Sequence, residues 1–190
     1  MTAPMTLADF ESLYRRDADP WGYRTRPYER DKYQATLDAC GSGPFESALE
    51  LGASIGVFSA MLAPRCRRLT TIDGAQTAVQ AAERALSEHK NVRIVLGTIP
   101  DALPAEPADL VVASEILYYL GRDALATTLD SLSQVLSRGG RLVAVHWRPT
   151  GPDRPVSAES VHRALGALTW LNEIADRSTS DYLLNVYARP

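Results

Sequence analysis

The segment Ser47–Ser59, SALELGASIGVFS, contains the residues whose types and spacing most clearly predict chemistry. An apolar run ends at Glu50. Small residues follow at Gly52, Ser54 and Gly56, and a second apolar run then begins. As strand, turn and helix start, this pattern would bring backbone N–H groups and a helix N-terminus to a ligand above a sheet edge. The same residues also spell G-x-S-x-G, the turn that presents a catalytic serine in some hydrolases.

A carboxylate further along the chain helps to separate a nucleotide site from a nucleophile. Asp73 follows the next strand pattern, residues 69–72, and stands 21 residues after Gly52 (73 − 52 = 21). A spacing of about 20 residues is typical of a carboxylate that accepts hydrogen bonds from the ribose hydroxyls of a nucleotide. The alternative, in which Asp73 only caps the next helix, is weakened by the glycine turn before it. The spacing therefore favours a nucleotide cofactor.

Two other interpretations of the glycine turn are weaker. A hydrolase could combine Ser54, an acid at Asp73 or Asp109, and His146 in that chain order. However, the turn would follow the first strong strand pattern of the chain, so no earlier sheet is left to supply an oxyanion-hole loop. A nicotinamide-type G-x-G-x-x-G turn would need glycines at 54 and 57, where serine and Val57 stand. The sequence thus favours a different nucleotide cofactor.

Composition limits the remaining classes of protein. With 45% hydrophobic residues, 190 residues suffice for one substantial core, and a net charge of −3 argues against a general grip on nucleic acid. Cys40 and Cys66 lack metal or disulfide spacing. Met1–Phe10 lacks the pattern of a secretory signal, and no apolar run reaches the roughly 18 residues of a membrane span. We expect a cytoplasmic protein without metal, nucleic acid or membrane partners, of unknown oligomeric state.

Strand patterns alternate with helix patterns along the chain. Helical spacing of apolar residues predicts helices over 75–88 and 122–137, the second ended by Gly139-Gly140. Shorter helices are predicted over 54–63 and from Ser157 to 165. The predicted strands are the run ending at Glu50 and residues 69–72, 92–96, 109–113, 141–146, 168–175 and 182–188. This order predicts a three-layer αβα sandwich around a mostly parallel, seven-stranded, doubly wound sheet with an antiparallel last strand.

The N-terminal residues have a different character. We expect residues 1–43 to form a helical lid segment and residues 44–190 the α/β core of a single domain. Helices are predicted over 6–16 and 27–40. Between and within them, residues 17–33 carry four aromatic residues among charged ones. These aromatic residues could cover a ligand or simply seal the segment against the core, and both interpretations stay open.

An acid two positions before a glycine turn, with a second acid after the next strand, resembles the S-adenosylmethionine (SAM) site of class I methyltransferases. Here ELGASIG replaces acid-x-G-x-G-x-G, with Ser54 at the middle glycine. With DPWGYRTRPYERDKY, DLVVASEILYYL, VAVHWR and SVHRAL in order, residues 14–190 resemble more narrowly the nodulation-protein-S (NodS-like) SAM-dependent N-methyltransferases. The resemblance implies methylation of a small molecule, most directly an amino sugar or similar amine, with S-adenosylhomocysteine as product. O-methylation, SAM binding without transfer and the serine hydrolase remain alternatives.

The resemblance also implies which residues bind the cofactor. The glycine turn would approach the methionine part, with Glu50 orienting the turn or meeting the amino group. Asp73 would hold the ribose, and Thr98 would help to contact adenine in place of the acid that many class I enzymes carry. Arg30 or Lys32 could meet the carboxylate of SAM. The implied cofactor-binding residues are Trp21, Tyr28, Arg30, Glu50, Gly52, Ala53, Ser54, Gly56, Asp73, Gly74, Thr98, Ile99 and Ser114.

The acceptor side is implied in the same way. His146 is the first candidate for a general base because it ends the fifth strand, where side chains are expected to point into the ligand crevice, and has an unperturbed pKa near 6.5. A structural role is the alternative for this histidine. Glu115 is the second candidate, although a satisfied helix start is the alternative for it, and His162 is expected to pack. The implied catalytic residues are His146, Glu115 and Tyr119. The implied substrate-binding residues are Tyr118, Tyr119, Trp147 and Arg148.

Overall fold

The structure is a computed structural model that describes residues 5–151 and 153–190. Its α-helices are α1 Leu7–Arg16, α2 Pro27–Cys40, α3 Val57–Leu62, α4 Gln76–Ala85, α5 Arg122–Val135 and α6 Ala158–Gly166. Its strands are β1 Ala48–Leu51, β2 Leu69–Asp73, β3 Val92–Leu96, β4 Ala108–Ser114, β5 Leu136–Trp147, β6 Asn172–Asp176 and β7 Tyr182–Ala188. Short 3-10 helices span Ala63–Arg65 and Leu117–Tyr119. Within the described residues, no helix is both long and apolar enough to cross a membrane.

The seven strands form one sheet in the order β3-β2-β1-β4-β5-β7-β6. Strands β1 to β5 run parallel to one another, and β7 runs antiparallel to its two neighbours, β5 and β6. The predicted mostly parallel sheet with an antiparallel last strand is confirmed. The chain order reverses between β1 and β4, which is where ligands bind in open α/β sheets.

Helices cover both faces of the sheet, so the predicted three-layer sandwich is also confirmed. Alternation along β1 shows how the sequence builds the layers, because successive side chains point to opposite faces. Leu49 and Leu51 belong to the apolar cluster under α5 and α6. Ala48 belongs to the cluster under α2 and α3. Glu50 lies on that second face, where it meets Ser59 of α3.

Element boundaries differ from the sequence predictions at several places, and α4 for example ends at Ala85 and not at residue 88. Helix α5 ends at Val135 and Gly139-Gly140 lie inside β5, because Leu136 adopts an extended conformation and pairs with Ala108. The ladder shifts register directly after that pair, so the two glycines accompany a bulge instead of ending a helix. Helix α3 begins at Val57 and not at residue 54, and β6 spans 172–176 and not 168–175.

Helix α2 is anchored at its C-terminal end by two arginines. A helix leaves its last four carbonyl groups without partners inside the helix. The guanidinium of Arg65 donates to the carbonyls of Leu37 and Gly41, and that of Arg141 donates to the carbonyl of Cys40. Cations at this end also complement the helix dipole. This anchoring fixes the direction in which α2 leaves the core.

Candidate active site

A cavity of about 720 Å³ lies at the carboxyl ends of β1, β2 and β4. Gly52, Gly74 and Glu115 each follow one of these strands and line the cavity, which α1 and α2 cover. Most of the predicted site residues line it as well. They are Trp21, Tyr28, Glu50, Gly52, Ala53, Ser54, Asp73, Gly74, Thr98, Ile99, Ser114, Glu115, Tyr118, Tyr119 and Trp147. The volume is within the range of small-molecule sites.

The glycine turn between β1 and α3 has the conformation that its residues suggest, but its amides are used internally. Gly52 and Gly56 both have φ of 81°, in the left-handed region that glycine favours. The amides of Gly52 and Ala53 donate to the carbonyl of Ile72 at 2.9 Å. The amide of Ser54 donates to Asp73 at 2.7 Å. The turn therefore allows a ligand to approach the backbone closely, but these three amides are not free to donate to it. This differs from the sequence interpretation, which expected free N–H groups.

Asp73 connects the glycine turn to the start of α4. One carboxylate oxygen accepts the Ser54 amide, and the other accepts the amide of Ala75 at 2.9 Å. Burial raises the pKa of Asp73, whereas the backbone bonds from Ala75 and Ser54 lower it. A carboxylate has about four acceptor positions, so Asp73 keeps acceptor capacity for hydroxyl groups of a ligand in the cavity. This placement is compatible with a ribose-binding role.

Glu50 is 1% exposed and is held from two elements. One of its oxygens accepts the hydroxyl of Ser59 at 2.5 Å and that of Thr71 at 2.8 Å. Burial raises the pKa of Glu50 to about 7, against the opposing effect of these two hydrogen bonds. A cationic ligand in the cavity would lower the pKa of Glu50, because a positive charge favours the ionised carboxylate.

Ser54 does not have the surroundings of a nucleophile. Its hydroxyl shares a 2.6 Å hydrogen bond with the hydroxyl of Tyr14 on α1. The histidine of the proposed Ser-acid-His set, His146, is hydrogen-bonded to His162 and to the backbone of Leu117. The residues of a hydrolase triad are thus engaged with other partners in the described structure. The short side chain of Ser54 instead joins the turn to the lid segment.

Glu115 is the most constrained residue at the opposite end of the cavity. Its φ of 56° places a residue other than glycine in the left-handed region, where such conformations often mark functional sites. One carboxylate oxygen accepts Lys32 Nζ at 2.8 Å. The other accepts the amide of Trp147 at 3.0 Å and the hydroxyl of Tyr118 in a short hydrogen bond. The carboxylate is therefore fixed in position on the cavity wall.

Lys32 brings a charge from the lid segment into the same cluster. Its side chain is 3% exposed and lies 3.0 Å from Glu29 and 2.8 Å from Glu115. Burial lowers the pKa of Lys32, but the carboxylates of Glu115 and Glu29 raise it further, so the net shift is upward. The cluster of Glu29, Lys32 and Glu115 therefore has a net negative charge. In this structure Lys32 forms ion pairs with these two acids, so it is not free to bind the carboxylate of SAM.

Aromatic rings form much of the remaining cavity wall. Phe10, Trp21 and Tyr119 lie in contact, with ring centroids 6.2 Å apart for Phe10 and Trp21 and 4.9 Å apart for Phe10 and Tyr119. The hydroxyl of Tyr28 is buried without a hydrogen-bond partner among the described residues. Trp147 is 39% exposed, and the guanidinium of Arg154 lies 4.9 Å from its ring. These surfaces suit a ligand with flat or cationic groups.

Four of the predicted site residues lie elsewhere. Arg30 is exposed beside Asp31, and Arg148 pairs with Glu159 outside the cavity. Gly56 lies behind the turn, where an added Cβ would stand 3.1 Å from Cα of Ala82. The fourth is His146, the first candidate for a base.

His146 lies behind the cavity wall. Its side chain is 0% exposed, and its Nε2 accepts the amide of Leu117 at 3.2 Å. Its Nδ1 lies 3.0 Å from Nε2 of His162, whose Nδ1 lies 2.6 Å from Oδ1 of Asn185. Burial and the neighbouring His162 hold the pKa of His146 well below its usual value. The expectation that His146 points into the ligand crevice is therefore wrong, because alternation along β5 turns Trp147 to the cavity and His146 to α6.

Comparisons with known proteins agree with this geometry. Residues 6–172 match the family described as Nodulation protein S (NodS). The chain belongs to this family. The nodulation protein S of Rhizobium tropici is 35% identical over 127 residues, 66% of this chain and 53% of that protein. That of Sinorhizobium fredii is 30% identical over 139 residues, 71% of this chain and 64% of that protein. The aligned part thus spans between half and two thirds of the length of these curated NodS relatives.

A solved NodS structure resembles the whole fold. The N-methyltransferase NodS from Bradyrhizobium japonicum, in complex with S-adenosylhomocysteine, is 30% identical with a TM-score of 0.86. The match covers 95% of this chain and 98% of that chain. The suspected NodS resemblance and the class I fold are confirmed.

Several cavity residues of this NodS-family chain were not predicted as site residues. Phe10 and Tyr14 lie outside the quoted motifs, and Glu29 lies within one that gave it no role. All three reach the cavity because α1 and α2 fold over the sheet edge. Glu29 and Lys32 do have the i, i+3 spacing of a helix-surface ion pair. That spacing alone does not show that the pair is buried.

Proposed function

We propose that this chain is a SAM-dependent methyltransferase that N-methylates a small-molecule amine, such as an amino sugar. The observation that carries the proposal is one cavity with a nucleotide-type half and a carboxylate half. The glycine turn and Asp73 line the first half, and Glu115 with Tyr118 lines the second. The solved NodS relative in complex with S-adenosylhomocysteine, described as an N-methyltransferase, supports the same assignment.

The residues present fit SAM. Asp73 has acceptor positions for the ribose hydroxyls, and the turn from Gly52 to Ser54 allows close approach of the methionine part. Glu50 would bind the amino group as a carboxylate, because a cation nearby favours its ionised form. Gly74, Thr98 and Ile99 line the part of the cavity beside β3 and would face the adenine. When bound, SAM supplies a methyl group on a positively charged sulfur.

Positioning accounts for most of the catalysis that we propose. Alignment of two reacting groups can contribute on the order of 7–11 kcal/mol. The fixed carboxylate of Glu115 would orient the acceptor amine and accept the proton that the nitrogen loses, a contribution of about 10²–10⁴-fold. Glu115 therefore replaces His146 as our candidate base, with the Tyr118 hydroxyl as its partner. Tyr119 and Trp147 would form the acceptor wall.

The charge of the acceptor end favours an amine over an anionic oxygen. Glu29 and Glu115 outnumber Lys32, so this cluster carries a net negative formal charge. On the same side of the cavity, the charge of Arg154 is offset by Asp153, with which it pairs. A phenolate or carboxylate acceptor would be repelled there, whereas an amine or ammonium would be attracted. O-methylation remains an outcome of the experiment below.

The proposal is tested by binding and by transfer. We expect S-adenosylhomocysteine to raise the thermal unfolding midpoint of the full chain, because a ligand that binds only the native state stabilises it. Incubation with SAM and a panel of amino sugars, simple amines and phenols is then followed by mass spectrometry for the gain of one methyl group. Methylated amines support the proposal. Methylated phenols would show an O-methyltransferase instead.

Two further outcomes have a clear meaning. No thermal shift at saturating S-adenosylhomocysteine would refute the cofactor assignment. A shift without any methylated product would point to SAM binding without transfer. Ser54→Ala is the control variant for the hydrolase alternative, because it removes the hydroxyl and the bond to Tyr14. We expect this variant to fold and retain transfer, whereas a serine hydrolase would lose its activity.

A further inference from the structure

Two buried histidines that the proposed chemistry does not use lie in a continuous hydrogen-bonded chain. The chain runs from the amide of Leu117 through His146 and His162 to the side chain of Asn185. It joins four elements: the 3-10 helix Leu117–Tyr119, strand β5, helix α6 and strand β7. Both imidazoles are buried, at 0% and 8% exposure. We call this set the histidine chain.

The direction of every hydrogen bond in the histidine chain follows from one donor. The Leu117 N–H can only donate, so Nε2 of His146 carries no proton. A neutral His146 then carries its proton on Nδ1 and donates it to Nε2 of His162. His162 in turn carries its proton on Nδ1 and donates it to Oδ1 of Asn185. Both histidines are therefore neutral Nδ1–H tautomers, and each of the three contacts has one donor and one acceptor.

The far end of the histidine chain supports the acceptor end of the cavity. The Leu117 amide opens the 3-10 helix that carries Tyr118 and Tyr119, and it has no donor role inside that short helix. The ring of His146 also packs against the ring of Tyr118, with centroids 5.1 Å apart. Tyr118 is the residue whose hydroxyl binds Glu115. Displacement of His146 would thus release both the backbone and the ring that set the position of this carboxylate.

We propose that His146 and His162 are positioning residues that hold the Leu117–Tyr119 helix, and through it the Tyr118–Glu115 pair, in place for the acceptor. The glycine turn and Asp73 are connected to other elements, so the histidine chain governs the acceptor end and leaves cofactor binding unchanged. The acceptor role of this end rests on the proposed function. The hydrogen-bonded arrangement itself does not.

Protonation disrupts the arrangement. A proton on Nε2 of His146 would face the Leu117 amide, and a proton on Nε2 of His162 would face Nδ1–H of His146. The charged groups that act on the pair are Lys32 of α2 for His146, and Asp176 of β6, Glu159 of α6 and Glu115 for His162. Burial lowers the pKa of both imidazoles. The hydrogen bonds of the histidine chain are thus intact at neutral pH and are lost in acid.

The first test measures the tautomers directly. In the full-length protein labelled with ¹⁵N-histidine, long-range ¹H–¹⁵N correlation spectra distinguish Nδ1–H from Nε2–H and from the charged ring. We expect Nδ1–H for His146 and His162 at neutral pH. Assignment uses His146→Gln and His162→Gln, each of which removes one set of signals, and His89→Gln identifies the third histidine. An Nε2–H tautomer or a charged ring for His146 at neutral pH would overturn the proposal.

The second test measures positioning without needing an acceptor. We expect His162→Phe, which fills the same space without hydrogen bonds, to speed hydrogen exchange of peptides covering 115–120 by about tenfold or more. Peptides covering 52–56 should not change, nor should the affinity for S-adenosylhomocysteine. His89→Gln is the matched control and should leave 115–120 unchanged. Uniform acceleration across the core would indicate a purely structural role and contradict the proposal, as would unchanged exchange at 115–120.

The third test separates this inference from the proposed function. With D-glucosamine as the probe acceptor, we expect His162→Phe to raise the acceptor KM about tenfold while the KM for SAM stays constant. If the wild-type chain binds S-adenosylhomocysteine but methylates neither this probe nor any other amine of the panel, the acceptor proposal fails, while the tautomer and exchange results still decide the histidine chain. An unchanged KM for glucosamine in an active His162→Phe enzyme would overturn the positioning role.

Discussion

Glu115 combines three features at the scale of a single residue: a left-handed backbone, a side chain that is only 9% exposed and hydrogen bonds from three different elements. Tyr118 lies on the 3-10 helix, Lys32 on α2 and the Trp147 amide on β5. A backbone outlier of this kind persists only where its surroundings over-determine it. Here the three hydrogen-bond donors hold the Glu115 carboxylate in one position on the cavity wall.

Glu115→Gln tests the proposed base. The amide oxygen can still accept from Tyr118 and Trp147, but the side chain can no longer take up a proton. We expect turnover of a methylated amine to fall by about 10²–10⁴-fold, with little change in affinity for S-adenosylhomocysteine. The measurements are steady-state kinetics and a thermal-shift titration.

Glu29→Gln is the matched control for that substitution. It removes the other carboxylate beside Lys32 but leaves the contacts of Tyr118 and Trp147 with Glu115 intact. We expect a smaller loss of turnover than for Glu115→Gln. Equal turnover of Glu115→Gln and the wild-type chain would exclude Glu115 as the base.

At the scale of elements, the turn from β1 to α3 depends on glycine for space as well as for backbone angle. At Gly56, φ is 81°, and an added Cβ would lie 3.1 Å from Cα and 3.2 Å from Cβ of Ala82 on α4. This glycine lies outside the cavity. A substitution there therefore tests how closely α3 packs on α4 without touching the proposed cofactor contacts.

We expect Gly56→Ala to lower the free energy of unfolding by about 1–3 kcal/mol, from left-handed backbone strain and overpacking against α4. Gly166→Ala is the control, because no atom lies within 4 Å of the added Cβ and no positive φ is required. That variant should be neutral or stabilised by about 0.4–1 kcal/mol. Urea denaturation measures both variants. Equal stability of Gly56→Ala and the wild-type chain would show that α4 moves away without cost.

Element patterns explain which parts of the site could be predicted from the sequence. The glycine turn and Asp73 lie within one β-α-β unit, so their spacing alone predicts that they meet, as they do through the Ser54 amide. Lys32 and Glu115 are separated by 83 residues and meet only through the path of α2, which no local pattern encodes. For His146, the end of β5 was predicted correctly but not the face of the strand. The helical spacing of leucines extends to Leu136, although α5 ends at Val135. The spacing therefore predicts a helix that is too long.

At the scale of the whole molecule, the buried titratable groups oppose one another. Burial raises the pKa of Glu50 to about 7 and lowers the pKa values of His146 and His162. Carboxyls of this kind favour the folded state in acid, because the native chain keeps protons that the unfolded chain releases. The histidines have the opposite effect on stability, because in acid the unfolded chain binds protons that the native chain does not bind. In the wild-type chain the two contributions partly cancel between about pH 4.5 and pH 7.

Glu50→Gln separates these two contributions. The native carboxyl of Glu50 stays protonated up to about pH 7, whereas the unfolded one ionises near its ordinary value of 4.5, so its contribution to stability falls as pH rises through this window. Glutamine can still accept the hydroxyls of Ser59 and Thr71 and has no such loss. We therefore expect the two chains to have similar unfolding free energies below about pH 4.5. Near pH 8 the variant should be more stable by on the order of 1–3 kcal/mol.

The remaining pH dependence of Glu50→Gln should then reveal the histidines. Stability should rise with pH toward the ordinary histidine pKa of 6.5, where the unfolded chain loses its extra protons, and change little above it. Adding His162→Phe to this variant should flatten part of that rise, because one of the two buried imidazoles is removed. Urea unfolding in a series of buffers between about pH 4 and pH 8 measures all three chains. A constant difference between Glu50→Gln and the wild-type chain at every pH would mean that the pKa of Glu50 is the same in the folded and unfolded chains, and Glu50 would then be a negative charge beside the cavity at neutral pH.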